Sequence, residues 1–246
     1  MSRGDRSQSI PEPPWAQRPE GRPASRVALT RDAIVEAALV VLDRGGLHGF
    51  SMRAVAQELG TGAGSLYWHV RGKEELLNLM VDRVVGELEV PAPDPPRWQE
   101  QAKELAREMR RLMKRHRDIA RITLGRIPLG PNSLEVSERV LAILREGGVP
   151  DRTAAWVLDL MSLYVGAFAF EESLGLASPT GEDLPPEQVI DMIREYFGSL
   201  PQERFPHTFA VMEHLTAGDV DERFEFGLDV LVRGIAASAA DGGEQG

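Results

Sequence analysis

At 246 residues, with 42% hydrophobic and 27% charged residues, the chain is long enough for one large core or for a small domain joined to a larger one, and its balance excludes a disordered or fibrous protein. It has no cysteine, which excludes disulfides, thiolate metal sites and cysteine nucleophiles and fits a reducing cytoplasm. The net charge of −10 argues against nucleic acid until it is divided along the chain, because residues 1–73 carry +3 and residues 74–246 carry −13.

Residues 1–26 are rich in Pro, Ser, Gly, Arg and Gln, lack the apolar run of a secretory signal, and read as a disordered arm. Arg3, Arg6, Arg18, Arg22 and Arg26 lie there, so the positive N-terminal charge fits a solvated tail as well as a nucleic-acid footprint. A first helix is announced by Thr30 as cap and Leu29 as a staple on Ile34; its apolar face is Ile34, Ala37, Ala38, Val41 and Leu42, and Gly45-Gly46 ends it. The same grammar recurs at Phe50-Ser51, and Gly60 stops that second helix at Leu59. After the Gly60-Thr61-Gly62 turn comes a short third helix, Ala63 to Val70. A longer one runs from Lys73 to about Val90, with Leu76, Leu77, Met80, Val84 and Leu88 as its buried stripe.

Pro91-Ala-Pro-Asp-Pro-Pro96 cannot continue a helix and marks a boundary. Beyond it, helical patterns fall at about 97–117, 118–125, 133–146, 151–176, 186–197, 207–216 and 220–239, with no alternating strand pattern. The expected class is therefore all-α. The longest uncharged apolar stretch, Leu160 to Phe170, is far short of the roughly 18 to 20 residues a bilayer requires, so no membrane span is expected.

A helix, a glycine turn and a second short helix make the helix-turn-helix plan, whose second helix enters the major groove. In the second helix Leu66 and Val70, four apart, are the natural buried positions, which leaves Ser65, Tyr67, Trp68 and His69 on other faces. Ala63 and Gly64 allow close approach to a phosphate or base edge, and the free amides there favour an anion. Tyr67 and Trp68 fill the junction with the next helix or face DNA; with Arg53 one turn into the second helix, nucleic-acid contact is the preferred reading.

The stretch Leu29 to about Met80, with Phe50-Ser-Met-Arg-Ala-Val-Ala-Gln-Glu-Leu-Gly60 and Gly64-Ser-Leu-Tyr-Trp-His-Val-Arg-Gly-Lys-Glu-Glu-Leu-Leu77, resembles the DNA-binding domain of the Tet repressor family. The resemblance implies a DNA-binding unit at 27–73, a connecting helix at 74–90 and a ligand-binding and dimerisation domain at 97–240. It implies that Arg53, Ser65 and residues of Tyr67-Trp68-His69 face bases or backbone, and that Ser51, Tyr67, His69 and Lys73 position phosphates. Ala63 and Gly64 stand where the Tet repressor has glutamine and proline.

The likeness continues through His116-Arg-Asp118, Leu124-Gly125, Tyr164-Val-Gly-Ala-Phe168 and Phe224-Glu-Phe-Gly-Leu-Asp-Val-Leu231, which resemble the tetracycline-repressor branch. Thr123 stands where that branch has its metal-binding histidine, which disfavours a magnesium–tetracycline chelate; no metal or other cofactor is expected.

Trp156, Met161, Tyr164 and Phe168 either line a ligand pocket or pack as core and dimer surface. Met109, Leu112, Met113, Ile119 and Ile122 supply a facing wall, with His116, Thr123 and Arg126 as orienting polar groups. The Glu171-Glu172 pair is expected to be solvated. Phe224, Leu228, Leu231 and Ile235 form a stripe that serves intrachain core or dimer face; the resemblance favours a dimer interface built from this helix and 151–176 of each subunit. The whole implies a homodimeric repressor that binds operator DNA and is released by a small-molecule inducer. No G-x-S-x-G elbow, H-E-x-x-H or P-loop supports an enzyme.

Overall fold

The computed structural model describes residues 29–175, 179–182 and 184–242; the arm expected at 1–26 lies outside them. The described residues form eleven α-helices and a 3-10 turn, with no strand among them. Helix α1 (Arg31–Gly49) begins where Thr30 Oγ1 accepts from the Ala33 amide at 3.1 Å, and α2 (Met52–Glu58) begins where Ser51 Oγ accepts from the Ala54 amide at the same distance. Both caps are those the sequence predicts. α3 (Ala63–Leu66) is a single turn of helix that continues as hydrogen-bonded turns to Val70. α4 (Lys73–Val85) stops short of the expected Val90. Gly86, Glu87 and Leu88 carry the chain onward in turns before the proline segment, whose Pro95–Arg97 form the 3-10 turn.

The larger part contains α5 (Trp98–Arg115), α6 (Ile119–Thr123), α7 (Pro131–Glu146), α8 (Asp151–Leu174), α9 (Pro186–Gly198), α10 (Pro206–Leu215) and α11 (Val220–Gly242). α8 is central and packs on α5, α6, α7 and α11, while α9 and α10 pack chiefly on each other. Between the two parts there is no gap in the core. One contiguous apolar cluster runs from Ile34 in α1 through Leu76, Met80 and Val84 in α4 to Leu228 and Ile235 in α11. α4 can join them because it is buried on more than one side, against α1 and against α5, α6 and α7.

Two features depart from the sequence expectation. α8 is long and apolar enough, with mean hydropathy 1.5, to cross a membrane by length and composition, although no single uncharged run reaches that length. Its apolar surface instead serves packing: Ala154, Val157, Val165 and Ala169 are buried, and Trp156, Leu160, Leu163 and Leu174 form an exposed row. On α11 the expected dimer stripe faces inward. Phe224, Leu228 and Ile235 are buried in the subunit's own core with Val232, Leu231 is half-buried, and the large exposed apolar residues are Val220, Phe226 and Val230.

α5 carries a basic edge that meets acids on α8 and α11. Arg110 forms paired 2.7 Å bonds to Glu172 and a third to Asp221, its guanidinium 4.4 Å over the Phe224 ring. Arg107 is bidentate on Glu225, and Lys103 pairs with Asp229. Glu172 is thus shielded and paired, not solvated as expected from its position. Burial alone raises its carboxyl, but the bonds from Arg110 and Lys114 outweigh this and hold it below its ordinary value of 4.5. A carboxylate lowered in the folded state contributes stability above its unfolded value that is lost as pH falls through the folded one. Denaturation midpoints of the wild type should therefore fall more steeply below about pH 4.5 than those of Glu172→Gln; parallel profiles would contradict the assignment.

Candidate functional site

The helix-turn-helix presents its aromatic residues outward. Leu66 and Val70 are buried as their spacing requires, which turns Trp68 (71% exposed) and Tyr67 into solvent and excludes the junction-filling alternative. Arg53 and Gly64 are exposed on the same unit, with Ala63, Ser65 and His69 partly so. Two expected roles change in detail. The Ser65 amide is bonded to the Gly62 carbonyl at 3.0 Å, and a four-residue α3 has little dipole, so it offers no developed anion site at its start. Lys73 is half-buried; its Nζ donates to the Phe50 carbonyl at 3.2 Å and lies 5.5 Å from the Phe50 ring, so it ties the start of α4 to the start of α2. Ser51 is exposed while serving as the cap.

A cavity of about 1330 Å³ opens beside α4. Its walls include Leu105 and Met109 of α5, Val140 of α7, and Leu158, Met161 and Val165 of α8, with α4 contributing Asn78, Leu79 and Asp82. Of the sequence-predicted ligand residues, Met113, Thr123, Arg126 and Met161 reach this cavity; His116, Trp156, Tyr164 and Phe168 do not line it.

Each of these four has a different placement. Tyr164 stacks on Phe224 at a ring separation of 5.4 Å and Phe168 meets it edge-on at 5.3 Å, and the Tyr164 hydroxyl donates to the Phe224 carbonyl at 2.8 Å. Gly227 permits this, since a Cβ there would sit 2.4 Å from the Tyr164 oxygen. Trp156 is 63% exposed, with Arg152 over its ring. His116 Nδ1 lies 3.0 Å from Asp43 of α1.

Nothing in the sequence pattern singles out Asp82. It is buried and accepts from the Ser133 amide and hydroxyl at 2.8 and 2.7 Å, capping the first turn of α7 from α4. α4 is not the sole link between the two parts. The Arg117 amide donates to Asp43, and the Leu47 amide donates to Asp118 at 2.7 Å, so the tail of α1 and the α5–α6 turn hold each other. Gly46 is required there: its φ is +61°, and a Cβ would meet the Asp118 carboxylate at 2.7 Å.

A further contact, within the helix-turn-helix and α4, lies at the cavity edge. Arg31 pairs with Glu75 at 2.8 Å and donates to the His69 carbonyl, so a cavity-lining side chain holds the backbone of the recognition turn.

The sequence matches the family profile "Bacterial regulatory proteins, tetR family" over residues 34–80 and "Tetracyclin repressor-like, C-terminal domain" over residues 91–239. It is 33% identical to the HTH-type transcriptional repressor DrrR1 of Streptomyces coeruleorubidus, over 86% of this chain and 79% of that one. It is 26% identical to the class D tetracycline repressor protein of Escherichia coli over 84% of this chain and 89% of the relative. Among solved structures, apo ActR of Streptomyces coelicolor superposes with a TM-score of 0.80 at 43% identity, covering 89% of this chain and all of that one. ActR in complex with actinorhodin superposes with a TM-score of 0.77 at 45% identity, covering 86% and 97%.

The placement of the aromatic residues is checked by stability. Trp68→Ala should leave the unfolding free energy within about 0.5 kcal/mol of wild type, while Leu66→Ala should cost about 2–5 kcal/mol. A comparable loss from both would mean that Trp68 is packed.

Proposed function

The chain belongs to the Tet repressor family of transcriptional regulators, which is not a family of enzymes; from that footing we propose that it is a cytoplasmic homodimeric repressor that binds a palindromic operator and is released by a small molecule held in the cavity beside α4. The observation that carries this reading is that α4 is at once the helix leaving the recognition turn and a wall of the cavity. A ligand seated there touches the element that positions the DNA-reading residues. DrrR1 is named as a repressor, and ActR is seen with (S)-DNPA and with actinorhodin, which supports ligand-responsive repression here.

On DNA, Arg53, Ala63, Gly64, Ser65, Trp68 and His69 face the groove, with Ser51 and Tyr67 toward phosphates and Lys73 holding α4 to the start of α2. In the cavity, Met113, Thr123, Arg126 and Met161 contact ligand. Tyr164 and Phe168 act at one remove, by fixing α8 against α11.

The dimer interface is proposed on the exposed rows of α8 and α11: Trp156, Leu160 and Leu163 with Phe226 (73% exposed) and Val230. α8 and α11 pack on each other, and a two-fold interface uses the same patch of both subunits, so exposed apolar residues on these two helices suit one. The expected species is about twice the 27.1 kDa chain. Light scattering should give that mass for wild type and a monomer for Val230→Arg, because an unpaired charge in an apolar interface costs several kcal/mol. A monomeric wild type at micromolar concentration would contradict the proposal.

Selection of bound duplexes from a random library tests the DNA assignment. It should enrich inverted repeats whose half-site centres lie about 34 Å, one helical turn, apart. Arg53→Ala should weaken binding to the enriched sequence more than to random DNA, since base contacts and not phosphate contacts carry discrimination. Enrichment of single half-sites, or equal losses on both DNAs, would count against it.

A further inference from the structure

Arg126 sits on the segment between α6 and α7, at the edge of the cavity, and its position has a chemical consequence. Its Nη1 bonds to Asn78 Oδ1 at 2.6 Å and its Nη2 to Glu74 at 2.7 Å, so it clasps the first turns of α4. The Arg126 side chain is only 24% exposed, whereas that of Glu74 is 76% exposed. The counter-ion can therefore leave at little cost, because a released Glu74 is already in water. Other cations at the cavity edge are placed differently. Arg31 shares a shielded pair with Glu75, each side chain 22% exposed, and breaking it would strand a partly buried charge; Arg83 is half in solvent on Glu36.

The groups that line the cavity together with Arg126 favour an anion with an apolar body. Met109, Met113 and Met161 give a polarizable apolar wall, and Leu124, Ile127 and Leu129 continue it along Arg126's own segment. Ile127 is 79% exposed, an unusual state for an isoleucine next to a large cavity and one that a ligand would relieve. Of the acids that line the cavity, Asp82 accepts from the first turn of α7 and Glu75 pairs with Arg31, while Asp32 and Asp159 are exposed to solvent. A ligand carboxylate or sulfonate can therefore replace Glu74 on Arg126 within a shielded, mostly apolar site, where a charge-assisted bond is stronger than in water.

We propose that the cavity is selective for an organic anion on an apolar body, and that Arg126 both binds the anion and signals its arrival by exchanging Glu74 and Asn78 for it. This rests on the cavity being the ligand site. The exchange removes the clasp on the first turns of α4, directly after the recognition turn, so binding of the anion and loosening of the DNA-reading unit are one event. An uncharged ligand of the same shape fills the cavity and leaves the clasp closed.

A matched pair of fluorescent probes tests this on the full-length dimer: anilinonaphthalene sulfonate and its uncharged parent N-phenylnaphthylamine. Arg126→Gln should weaken the sulfonate about tenfold, as expected for loss of a charge-assisted hydrogen bond, and Arg126→Lys should restore part of the affinity. Glu74→Gln, which removes the competing carboxylate, should tighten the sulfonate. The uncharged dye should be bound by all four proteins with affinities within about twofold of each other. Met161→Trp, which fills the cavity, should expel both dyes. If Arg126→Gln weakens both dyes alike, or neither, the anion exchange is wrong while the cavity stands as the ligand site. If Met161→Trp leaves both dyes bound as before, the cavity reading fails and the exchange with it.

Discussion

The fold depends on one helix being buried from several directions. α4 presents Leu76, Leu77, Met80, Val81 and Val84 to α1 on one side and to α5, α6 and α7 on the others, and the two parts of the chain share a single core as a result. A helix in that position cannot shift for one neighbour without the other being disturbed, because a close-packed interior has little free volume to absorb the motion. If the cavity holds the ligand, packing alone would provide its coupling to the recognition turn. The polar links sharpen it: Asp82 to the start of α7, Arg126 to the start of α4, Arg31 to the recognition turn, and the mutual bonds of Asp43 and Asp118 across the α1 tail.

The magnitudes are compatible with such a switch. A hundredfold release of DNA requires a ligand to favour the non-binding state by about 2.7 kcal/mol, and a ligand that binds both states equally shifts nothing. The exchange at the cavity edge supplies only part of that, because the exposed Glu74 contact is worth about 1 kcal/mol at most, and the rest falls to the packing of α4. Linkage then requires operator DNA to weaken ligand binding by the same factor.

Much of this was legible in the sequence where local chemistry decides. Thr30 and Ser51 are capping residues with their amide partners three positions on, and both caps form. Leu66 and Val70 fix which side of the recognition turn is inside, and Tyr67 and Trp68 are exposed in consequence. The resemblance to the Tet repressor family carried the rest of the outline.

What was not legible depends on which neighbour a helix meets. α8 and α11 are apolar on more than one face, so periodicity alone does not set their phase: the stripe at Phe224, Leu228 and Ile235 is internal, and the outer one holds Phe226 and Val230. Tyr164 and Phe168 were candidates for the pocket because aromatic residues suit one, yet their partner is Phe224, sixty positions on. Asp82 was invisible because its partners are the amide and hydroxyl of Ser133 at the start of another helix, a pairing across the fold that no sequence pattern displays.

The central claim, that the packing of α4 against the cavity wall sets DNA affinity, is tested most directly by a substitution inside that contact and away from any DNA-facing residue. Asp82→Asn keeps the shape of the side chain but removes the charge that holds the start of α7. DNA selected by the wild type should bind the folded Asp82→Asn dimer at least about tenfold more weakly, within the range of energetic coupling between sites. Unchanged affinity in a folded dimer would contradict the account.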